Sequence, residues 1–562
     1  QGKLTPDLEA AITATTKLQD LEDLYLPYRP KKRTRAMIAR EKGLEPLADL
    51  IIAQEIASGD PLELAAGYIN EEKEVPTAEA ALAGAMDIIA ETVCERADIR
   101  AAMRKHLWMN AELVTELAVP ESEAKEVLTY KEYREPVKRM PSHRILAVNR
   151  GEDKELLKVT LATHHDDNIS RIAGTIITRP SIFRETITLA IADGYKRLLF
   201  PALEREIRNL LTENAEKQAI KVFGLNLRQL LLQPPLAGHT VMGLDPGYRT
   251  GCKMAVVSPT GAVLETSTLY ITMGEGQKQK AADTVLKAIQ QHGITLISIG
   301  NGTASYETEE FAASLINRHN LPVHYLITNE AGASVYSASK LAKDELPDLD
   351  VSIRGAVSIA RRVQDPLAEL VKIDPKSIGV GQYQHDVNQK ELSGTLTTVV
   401  ESAVNHVGVE LNTASPALLQ HVAGVSASIA KNIVAFRDSN GTFQNRRQLL
   451  KVPRLGPAAF TQCAGFLRLA SGDNPLDNTP VHPESYPLAQ AILEKLGFSL
   501  SDLAHKDHLK TIQAKALQAD AARLAADLAA GEPTVRDILA AVAKPGRDPR
   551  EDLPAPMTRK NV

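Results

Sequence analysis

The sequence predicts a multidomain protein, mainly α-helical, with one α/β domain set between helical regions. Its 562 residues exceed what one core holds, and domains of about 100–200 residues suggest three to five of them. Apolar residues recur three and four apart through the first 236 residues, as in Leu47, Leu50 and Ile51 or Leu203, Ile207, Leu210 and Leu211. After Gln233-Pro234-Pro235 that period gives way to short apolar runs of strand type, and beyond Asp374 helical text resumes.

Hydrophobic residues at 44% and charged residues at 24% are those of a globular chain, because disorder needs fewer apolar and more like-charged residues. Cys94, Cys252 and Cys463 lie far apart with no CxxC pair, which suggests neither a disulfide framework nor a zinc cluster and suits a reducing compartment. No run approaches the roughly 18–20 apolar residues of a membrane span, and no basic-then-apolar leader is present. A cytoplasmic location without a membrane partner is expected. The chain opens on Gln1 with helical text already running, so an upstream portion is expected to be absent. With 65 basic and 70 acidic residues the net charge is −5, and any nucleic-acid site must be local.

In the helical region 1–236, Thr34 to Lys42 reads as a helix closed by Gly43 at its C′ position before Leu44-Glu45-Pro46 opens the next, which gives helix-turn-helix character. Just before it, Leu24-Tyr25-Leu26-Pro27-Tyr28 leads into Arg29-Pro30-Lys31-Lys32-Arg33-Thr34-Arg35. Lys31, Lys32, Arg33 and Arg35 are candidate phosphate contacts; the competing reading is a solvated basic turn.

In the region 237–373 the order is βββαβαβα, a mixed α/β domain. Its first strand, Thr240 to Leu244, ends on Asp245-Pro246-Gly247-Tyr248-Arg249-Thr250-Gly251. A carboxylate at that strand end, before a turn into an antiparallel second strand, is how ribonuclease H-like domains present their first metal ligand. Such centres hold two Mg²⁺ ions through carboxylates from separate elements. Glu330, at a strand end, and Asp365, in the last helix, are the further candidates for a catalytic or metal set. Against this, Gly300-Asn301-Gly302-Thr303 carries a neutral asparagine where resolvase relatives of the fold often carry an acid. The competing reading keeps the pattern as scaffold, with Asp245 capping a turn.

A connecting helical segment, 374–403, leads to a stretch, 404–471, that repeats with an offset of 30 residues. Leu419, Val422 and Phe436 map onto Leu449, Val452 and Phe466. Each copy is a helix, a tight hairpin and a second helix: the tandem helix-hairpin-helix pattern. The hairpins carry Gly424 and Ser426 in the first copy, Arg454 and Gly456 in the second, where two glycines are usual. Small residues let backbone approach a phosphate, and the next helix aims its N-terminal N–H groups at the anion. Residues 410–470 hold seven cations (Lys431, Arg437, Arg446, Arg447, Lys451, Arg454, Arg468) against two acids (Glu410, Asp438), a reversal of the sign of the whole chain. Lys431, Arg446, Arg447, Lys451 and Arg454 are the candidate phosphate contacts; a protein-docking module is the alternative. A further helical domain, 472–546, and a proline-containing linker, 547–562, complete the chain. His143 and His385 lack metal-ligand spacing and read as structural, Trp108 as core, and Cys252 as an inert buried thiol.

Several long segments resemble the Tex family of bacterial transcription accessory proteins: Leu21 to Pro30, Tyr133 to Pro136, the Asp245 turn, Gly300 to Ser305, Asn329 to Ser337 and Gly379 to Asp386. The resemblance spans nearly the whole chain. It implies an N-terminal helical region with helix-turn-helix character, a YqgF/RuvC-like ribonuclease H domain, tandem helix-hairpin-helix motifs and a terminal OB-fold domain that binds RNA. It also implies kinship with a eukaryotic elongation factor that handles histones. Since the chain stops at Val562, where that OB-fold domain would begin, a fragment is expected. The expected function is that of a transcription accessory or elongation factor that binds RNA or DNA without sequence preference through backbone phosphates, without catalysis and with no cofactor required. The alternatives are a structure-selective nuclease, which would need Mg²⁺, and a scaffold that docks on RNA polymerase.

Overall fold

The computed structural model describes residues 2–30, 32–546 and 548–561, and these form two compact units, Gln1–Ala219 and Ile220–Val562, each described by itself. After a helix at Pro6–Ala14, the first unit continues with helices α1 (Leu18–Tyr25), α2 (Arg35–Glu41) and α3 (Glu45–Ala53). Thr34 caps α2 by accepting the Met37 N–H and donates its hydroxyl to Glu91 of helix α4 (Ala78–Cys94) at 2.8 Å. Gly43 turns the chain between α2 and α3 at φ +77°, as the C′ reading requires. α1 is fixed by Asp23, which is buried and takes both terminal nitrogens of Arg104 at 2.8 Å.

The purely helical reading of this region is corrected by a three-stranded antiparallel sheet, β1 (Glu112–Leu117), β2 (Glu132–Pro136) and β3 (Leu157–Ala162), in the order β2-β1-β3. β1 and β2 are rich in charged residues and show little apolar alternation, so helical neighbours dominate the pattern. Helix α5 (Phe200–Leu231) closes the region.

In the second unit the α/β domain is a five-stranded sheet ordered β6-β5-β4-β7-β8, built from β4 (Val241–Asp245), β5 (Cys252–Val257), β6 (Val263–Leu269), β7 (Leu296–Gly300) and β8 (His324–Thr328). β4, β5 and β6 run antiparallel, while β4, β7 and β8 run parallel. Alternate residues face opposite ways. Met242, Leu244, Ile297 and Ile299 pack with helices α6 (Glu275–His292) and α7 (Ser305–Arg318), whereas Val241, Ala255, Val257 and Leu296 pack with α8 (Val351–Gln364). Gly243 shows how tightly α8 sits: a Cβ there would lie 2.2 Å from the Ala356 carbonyl oxygen. A short helix α9 (Pro366–Leu370) follows, capped by Asp365.

The repeat forms two helix-hairpin-helix motifs with α10 (Ala427–Asn440) and α11 (Pro457–Cys463) as their second helices, and strands β9 (Val409–Glu410) and β10 (Leu467–Arg468) pair in parallel to close the ends. Helices α12 (Tyr486–Lys495), α13 (Lys506–Gln518), α14 (Ala521–Asp527) and α15 (Glu532–Ala543) pack around a separate apolar core that includes Ile492, Leu493, Ile512, Val535 and Val542. The last residues, expected as a linker, are instead docked. Arg550 is 6% exposed and pairs with Asp365 at 2.6 Å, and Arg559 bridges the edge strand β8 through two backbone hydrogen bonds to Tyr325, of 2.8 and 2.7 Å. Among the described residues no helix is long and apolar enough to cross a membrane.

Candidate nucleic-acid interface and carboxylate pair

The two hairpins are copies in structure as well as in sequence. In the first, Val422 N–H donates to Leu419 at 3.0 Å, Val425 to Val422 at 3.0 Å and Ala430 to Ser426 at 2.9 Å. Thirty residues on, Val452 donates to Leu449 at 3.0 Å, Leu455 to Val452 at 3.1 Å and Phe460 to Gly456 at 3.0 Å. Leu419, Val422, Leu449 and Val452 are buried. The positions at which the repeat departs from two glycines thereby gain defined roles. Gly424 and Arg454 both take positive φ, +80° and +67°, and Ser426 and Gly456 are both N-caps. A left-handed arginine costs about 1–2 kcal/mol relative to glycine, so Arg454 is held there by its surroundings. Gly424 packs against the partner motif: a Cβ would lie 2.7 Å from Gln462 Cβ and 3.1 Å from the Ala459 carbonyl oxygen. Glycine is therefore required there by packing as well as by the positive φ. Gly456 faces open space.

The local cations divide into two classes. Lys431, Arg447, Lys451 and Arg454 are exposed, as are Ser426 and Gly456. Arg446 is not a phosphate contact, which is a correction: at 1% exposure it donates to the carbonyls of Leu467 (2.9 Å), Val481 (2.6 Å) and Thr479 and to the Tyr486 hydroxyl (2.9 Å). Arg437 likewise donates to the Leu411 and Ala414 carbonyls at 3.0 Å. In the first unit Lys32, Arg33 and Arg35 are exposed, with Arg33 bonded to Glu41 at 2.7 Å, and Lys31 lies outside the described residues.

At the end of β4, Asp245 and Glu330 come together and Asp365 does not. A side chain built at Gly302 would collide with Glu330 Oε1, and one built at Gly355 on α8 would begin 2.9 Å from Asp245 Oδ2. Arg362, buried on α8, positions the Glu330 loop by donating to the carbonyls of Asn329 (2.9 Å) and Ala331 (2.7 Å), and Asn301 Oδ1 accepts the Glu330 N–H at 3.2 Å. Burial, and after it the charge of Glu330, push the Asp245 carboxyl up to about 6. Burial raises Glu330 too, against the pull of the Gly302 N–H and the Arg362 guanidinium, and its Oε2 is buried with no hydrogen-bond partner. Asp365 sits at the far end of α8, roughly 15 Å along the helix from Gly355. There its carboxylate caps α9 and binds Arg550. Two ions about 3.5–4 Å apart need carboxylates from several elements. Here α8 brings a glycine to the facing position, and among the described residues no three His, Cys, Asp or Glu side chains are placed to hold a metal. The residues present do not fit a two-ion centre.

Of the remaining residues, His143 and His385 are exposed rather than packed, and Trp108 is half-buried rather than core. Cys252 is buried, and its burial pushes the thiol well up. The contacts least visible in sequence are Arg362, Arg550 and Gln462, none of which belongs to a local motif.

Family models match the chain in four stretches: a Tex central region-like model over residues 57–223, a Tex protein YqgF-like domain over 239–364, a helix-hairpin-helix motif over 404–468 and an HHH domain over 474–550. The transcriptional accessory protein Tex of Neisseria gonorrhoeae is 47% identical over 568 residues, covering 98% of this chain and 72% of that protein. The chain belongs to the Tex family. Protein tex of Bordetella pertussis is 46% identical over 578 residues, covering 100% of this chain and 72% of its own length. A human protein named S1 RNA-binding domain-containing protein 1 is 36% identical over 631 residues, covering all of this chain and 63% of itself. Set on the structure, the Tex YqgF-like stretch is the five-stranded sheet that carries Asp245, and the HHH stretch 474–550 takes in α12 to α15 and Arg550.

Proposed function

We propose that this Tex-family chain is a sequence-tolerant nucleic-acid-binding factor acting in transcription, which holds backbone phosphates at its tandem hairpins and performs no chemistry of its own. The observation that carries this reading is the sorting of the cations. The arginines that hold the motif together point inward, while Lys431, Arg447, Lys451 and Arg454 stand in solvent around two hairpins with the same backbone hydrogen bonds. First-turn N–H groups of α10 lack intrahelical partners, and only that of Ile429 is taken by the Ser426 hydroxyl, so the helix end adds donors for an anion. Phosphate contacts of this kind position without reading sequence. The name of the human relative agrees with RNA as a partner, and that of the Neisseria gonorrhoeae relative with transcription as the setting.

The reading predicts that the logarithm of affinity falls with the logarithm of salt by roughly 0.7–0.9 per neutralised phosphate, and that Lys451→Glu with Arg454→Glu weakens binding and flattens that slope. Arg454→Gly serves as the folding control, since it removes a cation while relieving the left-handed backbone. Unchanged binding and slope in the reversed-charge variant would place the interface elsewhere. Co-purification of RNA polymerase that survives nuclease treatment and these substitutions would favour a docking scaffold instead.

A further inference from the structure

The segment Leu24–Arg35 of the first unit carries a surface that the hairpins do not use. Tyr25 ends α1 and Tyr28 ends the 3-10 turn that follows, so the two rings, three residues apart on continuous helical turns, share a side. They are 53% and 36% exposed. Arg29, Lys32, Arg33 and Arg35 follow, all exposed, and no acid occurs between Leu24 and Arg35. The nearest acid in the chain before them, Asp23, is turned inward and consumed by Arg100 and Arg104. Pro27, between the two rings, and Pro30, just after Arg29, restrict the chain, which lowers the entropy lost when a ligand orders it.

Exposed rings beside exposed cations, of which Arg33 is bonded to Glu41 and Arg35 lies in the field of Asp87, match one ligand chemistry closely. Bases with free faces stack on aromatic side chains whatever their identity, and the phosphates that join them need nearby cations. A duplex has no free base faces to offer, and an acidic peptide would engage the cations but leave the rings unused. We infer that Leu24–Arg35 is a second nucleic-acid site, selective for single strands, with bases on Tyr25 and Tyr28 and phosphates on Arg29, Lys32 and Arg35. It stands on observations independent of the hairpins, which grip phosphates of either form.

The test is equilibrium binding of the full chain to an oligo(U) strand of about 16 nucleotides and to a duplex of equal length. Tyr25→Ala with Tyr28→Ala should lose on the order of tenfold for the strand and nothing for the duplex, with the salt slope unaltered, since the phosphate contacts remain. Tyr25→Phe with Tyr28→Phe, which keeps the rings, should bind as the parent does. Lys451→Glu with Arg454→Glu should weaken the duplex in a chain whose tyrosine strip is intact, so failure of one reading is distinguishable from failure of the other. Photo-crosslinking of a 5-iodouridine strand to the unaltered protein should map to Tyr25 or Tyr28. Equal losses for strand and duplex, full strand binding by the alanine variant, or crosslinks confined to other residues would overturn the inference. So would a protein partner captured through these tyrosines with no strand bound.

Discussion

Asp245 is a single side chain whose surroundings in the fold set its charge state. It stands at the strand end where a metal ligand is expected, yet the helix opposite presents Gly355, and its only acidic neighbour among the candidates is Glu330. The pair carries an electrostatic cost. An ordinary Asp carboxyl ionises near 3.8, and this one near 6 when folded, so between those values the native state binds more protons than the unfolded chain. Stability therefore falls as the pH rises through that window, by at most about 3 kcal/mol before allowance for solvent screening. Asp245→Asn should remove much of that slope and raise stability at pH 8, measured by denaturant unfolding at pH 4 and pH 8. A variant less stable than the parent at pH 8 would show that the ionised carboxylate is held by contacts that outweigh its burial.

At the scale of elements, the sequence revealed what is locally encoded. The α2–α3 turn was legible because Gly43 occupies a C′ position, and the hairpins were legible because the 30-residue offset brings identical hydrogen bonds in both copies. β1 and β2 were hidden because strands such as Glu132–Pro136 owe their pairing to β1 rather than to their own apolar pattern. The docking of the tail was hidden because its partners are remote: Arg550 meets Asp365 across 185 residues, and Arg559 meets the edge of β8. Polar, proline-containing text reads as a linker until such partners are known. An unpaired strand edge invites other strands, and here the tail covers part of it. Removing residues 557–562 should free the Tyr325 N–H, raising its amide exchange rate while leaving that of β4 unchanged, as hydrogen-exchange mass spectrometry would resolve. Equal protection of β8 in the shortened chain would mean that the bridge adds nothing to the edge.

Across the second unit, charge and burial have to be read together, because net charge alone counts cations that never meet a ligand. The basic balance of residues 410–470 singled out the hairpin stretch, but it included Arg446, whose guanidinium joins the hairpin motifs to the segment 476–486 through the carbonyls of Leu467, Val481 and Thr479 and the Tyr486 hydroxyl. Its neighbour Arg447 is exposed. The two adjacent arginines therefore separate stability from binding. Arg446→Ala should cost about 4 kcal/mol or more, since it opens a cavity and strands several buried carbonyls at roughly 1–3 kcal/mol each. Arg447→Ala should change stability by no more than about 0.5 kcal/mol and lower nucleic-acid affinity together with its salt slope. Thermal unfolding and salt-dependent titration of the two variants measure both quantities on the same preparations. If Arg446→Ala unfolds like the parent but binds poorly, the inward arginine has been assigned to the wrong class, and the division of cations on which the interface rests fails with it.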